Sequence, residues 1–251
     1  MLRLLVLINL FFITSCSLMS SEKSVELKPA EIRFKQVEVS GEYLVKTRTG
    51  FGKNNSFIKK IEVVSMHNEN NAFEKTITIS KKREIMPKVE FLAPFEYEST
   101  YYLNKDTYTV RGKVDWRRRE IVYNLNSPEY KWLGQKRYKF TDDIKALCFY
   151  SNLIECAKIS GFISKAIEKR NGDMSFHVLW ESYPYFQEQY INMPKEIVSK
   201  AVLTFDSFDK KGNYRFLLSV GGQSIVYTLN KNLNLVGHYW AAQGLTKEII
   251  E

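Results

Sequence analysis

Three cysteines and three histidines are the residues of this 251-residue sequence best equipped for chemistry. Cys16, Cys148 and Cys156 can carry lipid, form a disulfide or bind metal, and His67, His177 and His238 can ligate metal or move protons. Their spacing removes most of these options. There is no His-Glu-x-x-His and no Cys-x-x-Cys, so no metal ligand set can be assembled from neighbouring residues. No Gly-x-Ser-x-Gly elbow is present, which leaves a hydrolase only the route of dispersed catalytic residues. The run Asp206 to Gly212 fails as a calcium loop because Phe208 and Lys210 stand where oxygen ligands belong, and it reads as a hairpin turn. Gly221-Gly222-Gln223-Ser224 joins two strand-like runs and lacks the following helix that a phosphate cradle uses. Neither a cofactor motif nor a metal site is expected.

The first sixteen residues carry a different message. Arg3 precedes an apolar run from Leu4 to Phe12, followed by Ile13-Thr14-Ser15-Cys16. A positive start, about ten apolar residues and small residues before a cut site form an export signal, and the run is short of the roughly 20 residues that span a bilayer. Ile13 to Cys16 resembles the lipobox of bacterial lipoproteins. That resemblance implies cleavage before Cys16, diacylglycerol on its thiol and acylation of the new amine, giving more than one chain, as stable anchoring requires. Ser17 in place of Asp resembles the default sorting to the outer membrane, facing the periplasm. Residues 1–15 are thus read as a signal peptide, 16–30 as a lipidated cysteine and polar tether (SSEKSVELKP), and 31–251 as one β-rich domain.

With Cys16 committed to lipid by that resemblance, Cys148 and Cys156 remain as an even pair in an oxidising compartment. They lie in a segment, about 142–170, that breaks the strand pattern. Thr141-Asp142-Asp143 reads as a helix start and Asn171-Gly172 as a stop, and Asn152 with Glu155 suggests a second start inside. One continuous helix would hold the two α-carbons about 12 Å apart, too far for a disulfide, which needs under about 7 Å. A break at Ser151-Asn152 lets two short helices fold together, and the broken, disulfide-bonded form is the reading adopted. Two buried free thiols in one helix are its alternative.

Around this segment the chain is strand-like, rich in Val, Ile, Thr, Tyr and Phe. Expected strands are Phe34–Thr47, Phe57–Met66, Phe73–Lys81, Glu98–Arg111, Glu120–Asn126, Ser175–Glu181, Phe186–Asn192, Ala201–Phe208, Tyr214–Val220, Ser224–Asn230 and Leu233–Trp240. The short turns of the last third permit only antiparallel neighbours. The fold class is therefore α+β, mostly β: a curved antiparallel meander with an inserted helical segment. In outline this resembles periplasmic half-barrel or clam-shaped carriers of lipids and lipoproteins, which implies acyl chains on a concave sheet face under a helical lid.

At 44% hydrophobic and 14% aromatic residues, a large core is within reach. The net charge of +9, to which Arg3 contributes one, points after export to anionic lipid, an anionic envelope polymer or envelope proteins, and away from nucleic acid. Lys81-Lys82-Arg83 and Trp116-Arg117-Arg118-Arg119 form the candidate basic and aromatic binding surface. The expectation is a membrane-anchored envelope protein that acts by binding, with an envelope hydrolase as the alternative; His177 or His238 beside a carboxylate in a cleft would favour the latter. Replacing Cys16 by Ser is expected to abolish incorporation of labelled palmitate and release the chain from the membrane fraction; membrane retention of the unlabelled variant would contradict the lipid anchor.

Overall fold

Along Tyr214, Phe216, Leu218 and Val220 apolar side chains fall at every second position, and the strand they form buries Phe216, Leu218 and Val220 on one face. The computed structural model, which describes residues 31–52, 56–66, 72–103 and 105–250, repeats this pattern in fifteen strands of a single sheet. The signal peptide, Cys16, the tether and His67 lie outside the described residues. The first half of the chain supplies β1 (Glu31–Glu38), β2 (Gly41–Phe51), β3 (Phe57–Met66), β4 (Ala72–Met86), β5 (Val89–Leu103), β6 (Asp106–Asp115), β7 (Glu120–Asn126) and β8 (Gly134–Lys139). The second half supplies β9 (Leu147–Phe149), β10 (Asp173–Leu179), β11 (Val198–Phe208), β12 (Tyr214–Val220), β13 (Gln223–Leu229), β14 (Leu235–Trp240) and β15 (Leu245–Ile249).

Within each half, strands adjacent in sequence are adjacent in space. The halves join where the first strand pairs with the last, Phe34 opposite Ile249 and Val37 opposite Thr246. All pairings are antiparallel except β9 with β10. The sheet is curved, so that Ile58 of β3 and Phe91 and Leu92 of β5 share one core with Phe176, Leu203, Phe216, Ile225 and Trp240 of the other half. Into this concavity fit α1 (Leu153–Ile159) and α2 (Phe162–Lys169), burying Leu153, Cys156, Ala157, Ile163 and Ala166. A third short helix, α3 (Tyr185–Gln189), follows β10. The edge strand β8 (GQKRYK) is mostly exposed.

The inserted segment differs from expectation at its start. No helix begins at Thr141; Leu147, Cys148 and Phe149 form a strand and the helix begins at Leu153. The three strand residues are buried on both faces, so they lack the alternation that marks a strand and mimic helical spacing. Cys148 and Cys156 are nonetheless disulfide-bonded, with α-carbons 6.5 Å apart, through a strand, a tight turn at Tyr150–Asn152 and a helix rather than two packed helices. Asn152 does not cap α1 with its side chain. Its amide donates to Thr78 Oγ1 and Ser80 Oγ of β4, both at 3.1 Å, tying the turn to the opposite wall.

Three other expectations change. Phe186–Asn192 was expected as a strand, but Tyr185–Gln189 is helical. Phe34–Thr47 and Glu98–Arg111 each prove to be hairpins split by a turn. The strands β8, β9 and β15 were not anticipated.

The disulfide closes a short loop whose constraint on the unfolded chain is worth about 2.5 kcal/mol. Replacing both Cys148 and Cys156 by Ala should lower the denaturation free energy by about that amount in urea titration. The same material before substitution should show no alkylatable thiol among the two until reduced.

Candidate functional site

On β3 the inward positions are Ile58, Lys60, Glu62 and Val64, so two full charges stand on the face that elsewhere builds core. Thr47 on β2, Thr76 on β4, His238 on β14 and Lys247 on β15 share that face. Together they line a cavity of about 190 Å³, with Ile32 and Asn234 at its more exposed side. The turn and helix enclosed by the disulfide contribute Tyr150, Ser151, Ile154 and Glu155, so the cross-link holds one wall of the cavity in place.

The wall opposite β3 is aromatic. Tyr150 lies 4.8 Å from Trp180 and 5.7 Å from Phe186, ring centre to ring centre. Phe186 in turn lies 4.7 Å from Tyr190, and Tyr190 stacks on Trp240 at 5.5 Å. Trp180 and Trp240 are fully buried beneath the others, and their indole N–H groups donate to Ser199 Oγ and Gln223 Oε1, each at 3.0 Å. These bonds fix the indoles as a rigid backing for the half-buried rings of Tyr150, Phe186 and Tyr190.

The charged wall is a network. Lys247 Nζ donates to Glu62 Oε1 at 3.1 Å, and Thr47 Oγ1 donates to Glu62 Oε2 at 3.1 Å. Burial pushes the Glu62 carboxyl upward, but Lys247 and Lys60, with those two bonds, outweigh it and bring it down to about 2. Lys60 is buried and donates to the carbonyl of Ser151. Burial pulls its ammonium down, and the carboxylates of Glu155, Glu62 and Glu181 more than reverse this, so it stays charged. Glu181 accepts the backbone N–H groups of Tyr150 at 3.0 Å and Ser151 at 2.9 Å, while burial raises its carboxyl.

Deeper in, Glu74 accepts from Thr76 Oγ1 at 3.1 Å and from Ser182 Oγ at 3.4 Å. Burial, with lesser contributions from Glu62 and Glu181, pushes its carboxyl up to about 7. His238 sits with Nε2 3.5 Å from the Tyr150 hydroxyl. Burial and Lys247 bring it down to about 3, so the ring is neutral at ordinary pH.

Of the residues singled out in sequence, His238 and, from the inserted segment, Ser151 and Glu155 enter this cavity. The basic clusters do not. Arg83 lies over the Trp116 ring at 4.2 Å, Arg119 pairs with Asp142, and the three line a separate hollow of about 230 Å³ with Lys145 and Phe140. Lys81 lies over Phe95 at 3.6 Å, Lys82 pairs with Glu90 at 3.0 Å, Arg118 approaches Asp115 at 3.8 Å, and the Arg117 backbone N–H bonds Asp115. The structure thus gathers Arg83, Trp116 and Arg119 and leaves the other four outside that hollow. His177 lies on β10 and lines neither cavity. Among the described residues no group of His, Cys, Asp and Glu could hold a metal ion. Sequence reading missed Lys60, Glu62, Glu74, Glu181 and Lys247; the available signal was a charge at an inward-parity position of a strand.

No family model and no curated protein matches this chain. Among solved structures, the crystal structure of a beta-barrel-like protein of the domain of unknown function DUF1849 from Brucella abortus matches it with a TM-score of 0.44 and 9% identity, covering 88% of this chain and 95% of that one.

The two cavity carboxyls give opposite pH signatures. Glu74, raised in the folded state, favours folding while protonated and loses that contribution as pH rises from the unfolded value near 4.5 through about 7. Glu62, depressed, contributes above about 4.5 and loses it as pH falls toward 2. Glu74→Gln should therefore raise Tm at pH 8 and leave it unchanged at pH 4, whereas Glu62→Gln, which strands Lys247, should cost about 2–3 kcal/mol at pH 7. Thermal melts across pH distinguish the two.

Proposed function

We propose that this protein is an envelope lipoprotein, anchored through lipidated Cys16 and facing the periplasm from the outer membrane, that acts by binding a small molecule in the cavity between β3 and the aromatic wall. One observation carries the reading: the inward face of the sheet places Lys60, Glu62, Glu74 and Lys247 on an open volume opposite Tyr150, Phe186 and Tyr190. A core that served only to hold the fold together would fill these positions with apolar side chains, because a buried charge costs several kcal/mol even when paired. A pocket with one aromatic side and a few placed polar groups is the usual form of a small-molecule site.

This reading favours binding over catalysis. His238, the one histidine in the cavity, meets the Tyr150 hydroxyl rather than a carboxylate at hydrogen-bond range, and its low pKa makes it a poor proton acceptor near neutrality. It also favours a ligand site over a purely structural partnership, for which a filled interior would suffice. The exposed hollow at Arg83, Trp116 and Arg119 supports a separate contact with an anionic envelope component, since its cations exceed its acids in reach of solvent.

Native mass spectrometry of the exported full chain tests the cavity. The wild type should carry a small-molecule adduct at near one per chain, and Thr49→Trp, which fills the cavity from β2, should carry none. Identical bare masses for the two proteins would count against a ligand-binding role.

A further inference from the structure

The lining of the cavity says more about its ligand than that it is small. We infer that the ligand is a neutral, ring-shaped polyhydroxyl compound, a monosaccharide or the terminal sugar of an envelope glycan; this rests on the reading of the cavity as a binding site.

Charge narrows the class first. Two of the cavity's lysines are already compensated within the protein: Lys247 against Glu62 at 3.1 Å, and Lys60 against the Ser151 carbonyl with Glu155, Glu62 and Glu181 near it. An anionic ligand would meet Glu62, Glu74, Glu155 and Glu181, and a cationic one Lys60, Lys158 and Lys247. Neither sign is favoured, so net charge is not what the site selects.

Hydrogen-bonding capacity narrows it further. Lysines only donate and ionised carboxylates only accept; Thr47 and Thr76 give their protons to Glu62 and Glu74 and so are left to accept, while Thr49 can do both. A ligand whose groups are each donor and acceptor satisfies such a wall from any direction, and hydroxyl groups are of that kind. An acyl chain placed here would strip water from the same groups and return nothing.

The opposite wall supplies the remaining constraint. Tyr150, Phe186 and Tyr190 line the cavity together with Trp180 and Trp240 and pack against one another. Aromatic faces carry partial negative charge and attract the slightly positive C–H groups on one face of a sugar ring. Rings and hydrogen-bonding groups in one cavity therefore match the two kinds of surface a pyranose presents. The volume, about 190 Å³, is well above what a single water needs and leaves room for one ring.

The test uses the exported full chain, solubilised in a detergent without a sugar headgroup, and follows tryptophan fluorescence in a Trp116→Phe, Trp132→Phe background, where the signal comes from Trp180 and Trp240. Methyl glucoside and N-acetylglucosamine should each be titrated to about 0.1 M, a hundredfold above a millimolar Kd. A lysophosphatidylcholine and glycine betaine serve as an amphiphilic and a small zwitterionic control, both of zero net charge. The expected result is saturable binding of at least one neutral sugar, weakened about tenfold by Phe186→Leu, which keeps apolar bulk but removes the ring, and by Thr47→Val. Saturation by the lysophospholipid or betaine alone, blocked by Thr49→Trp, would overturn the sugar assignment and leave the binding cavity standing. No response to any of the four probes would overturn both.

Discussion

The pairing of β1 with β15 is the contact on which the rest of this molecule depends. Within each half strands pair in sequence order, through short turns except where residues 150–172 and 180–197 intervene around β10. Only this one ladder, Phe34–Val37 against Thr246–Ile249, joins the first strand to the last. The cavity straddles that seam: β1 to β4 supply one side and β13 to β15 the other. The ion pair between Glu62 and Lys247 crosses it as well. A cavity built this way exists only in the complete fold, since neither half can enclose it alone. Its closure rests on the contact between the two ends of the described chain, Phe34 with Ile249.

The polar inner face then explains why the interior is not simply packed. Apolar residues of the second half and of α1 and α2 form a conventional core with Ile58, Phe91 and Leu92. Beside it the same concave face carries lysines and carboxylates, with Glu62 held by Lys247 and Thr47 and Glu181 by two backbone N–H groups, and the Asn152 amide reaches Thr78 and Ser80. Buried hydrogen-bonded networks of this kind restrict the side chains they hold. The site is thus preorganised, with the polar wall fixed by ion pairs and the aromatic wall by indole hydrogen bonds.

Much of the architecture was legible in the chain, because half-buried antiparallel strands print their geometry as alternation. The bounds of β3, β7 and β12 follow directly from their apolar runs and turns. Where burial is two-sided or absent the signal fails: Leu147–Phe149 is apolar throughout and reads as helix, while Gly134–Lys139 is polar throughout and reads as loop. The disulfide was anticipated because cysteine parity survives an error in local geometry, and the turn at Ser151-Asn152 was placed correctly although the element before it was not a helix. The site was largely illegible. Lys60 and Glu62 look like solvent positions, since Ile61 and Val63 between and beside them suggest the opposite face. Only the register with Thr47 and Thr76 reveals which side is inward. Nor does the sequence show that the rings of Phe186 and Trp240 meet.

The edge strand β8 has a bearing on the company this sheet can keep. Its outer backbone groups are free to accept another strand, and a sheet of this length offers a template for indefinite growth. Lys136, Arg137 and Lys139 crowd that short edge with one sign of charge. A second copy approaching edge to edge would bring like charge against like. Like charge on this edge therefore disfavours extension, from the β8 side, of the fifteen-stranded sheet formed by the described residues.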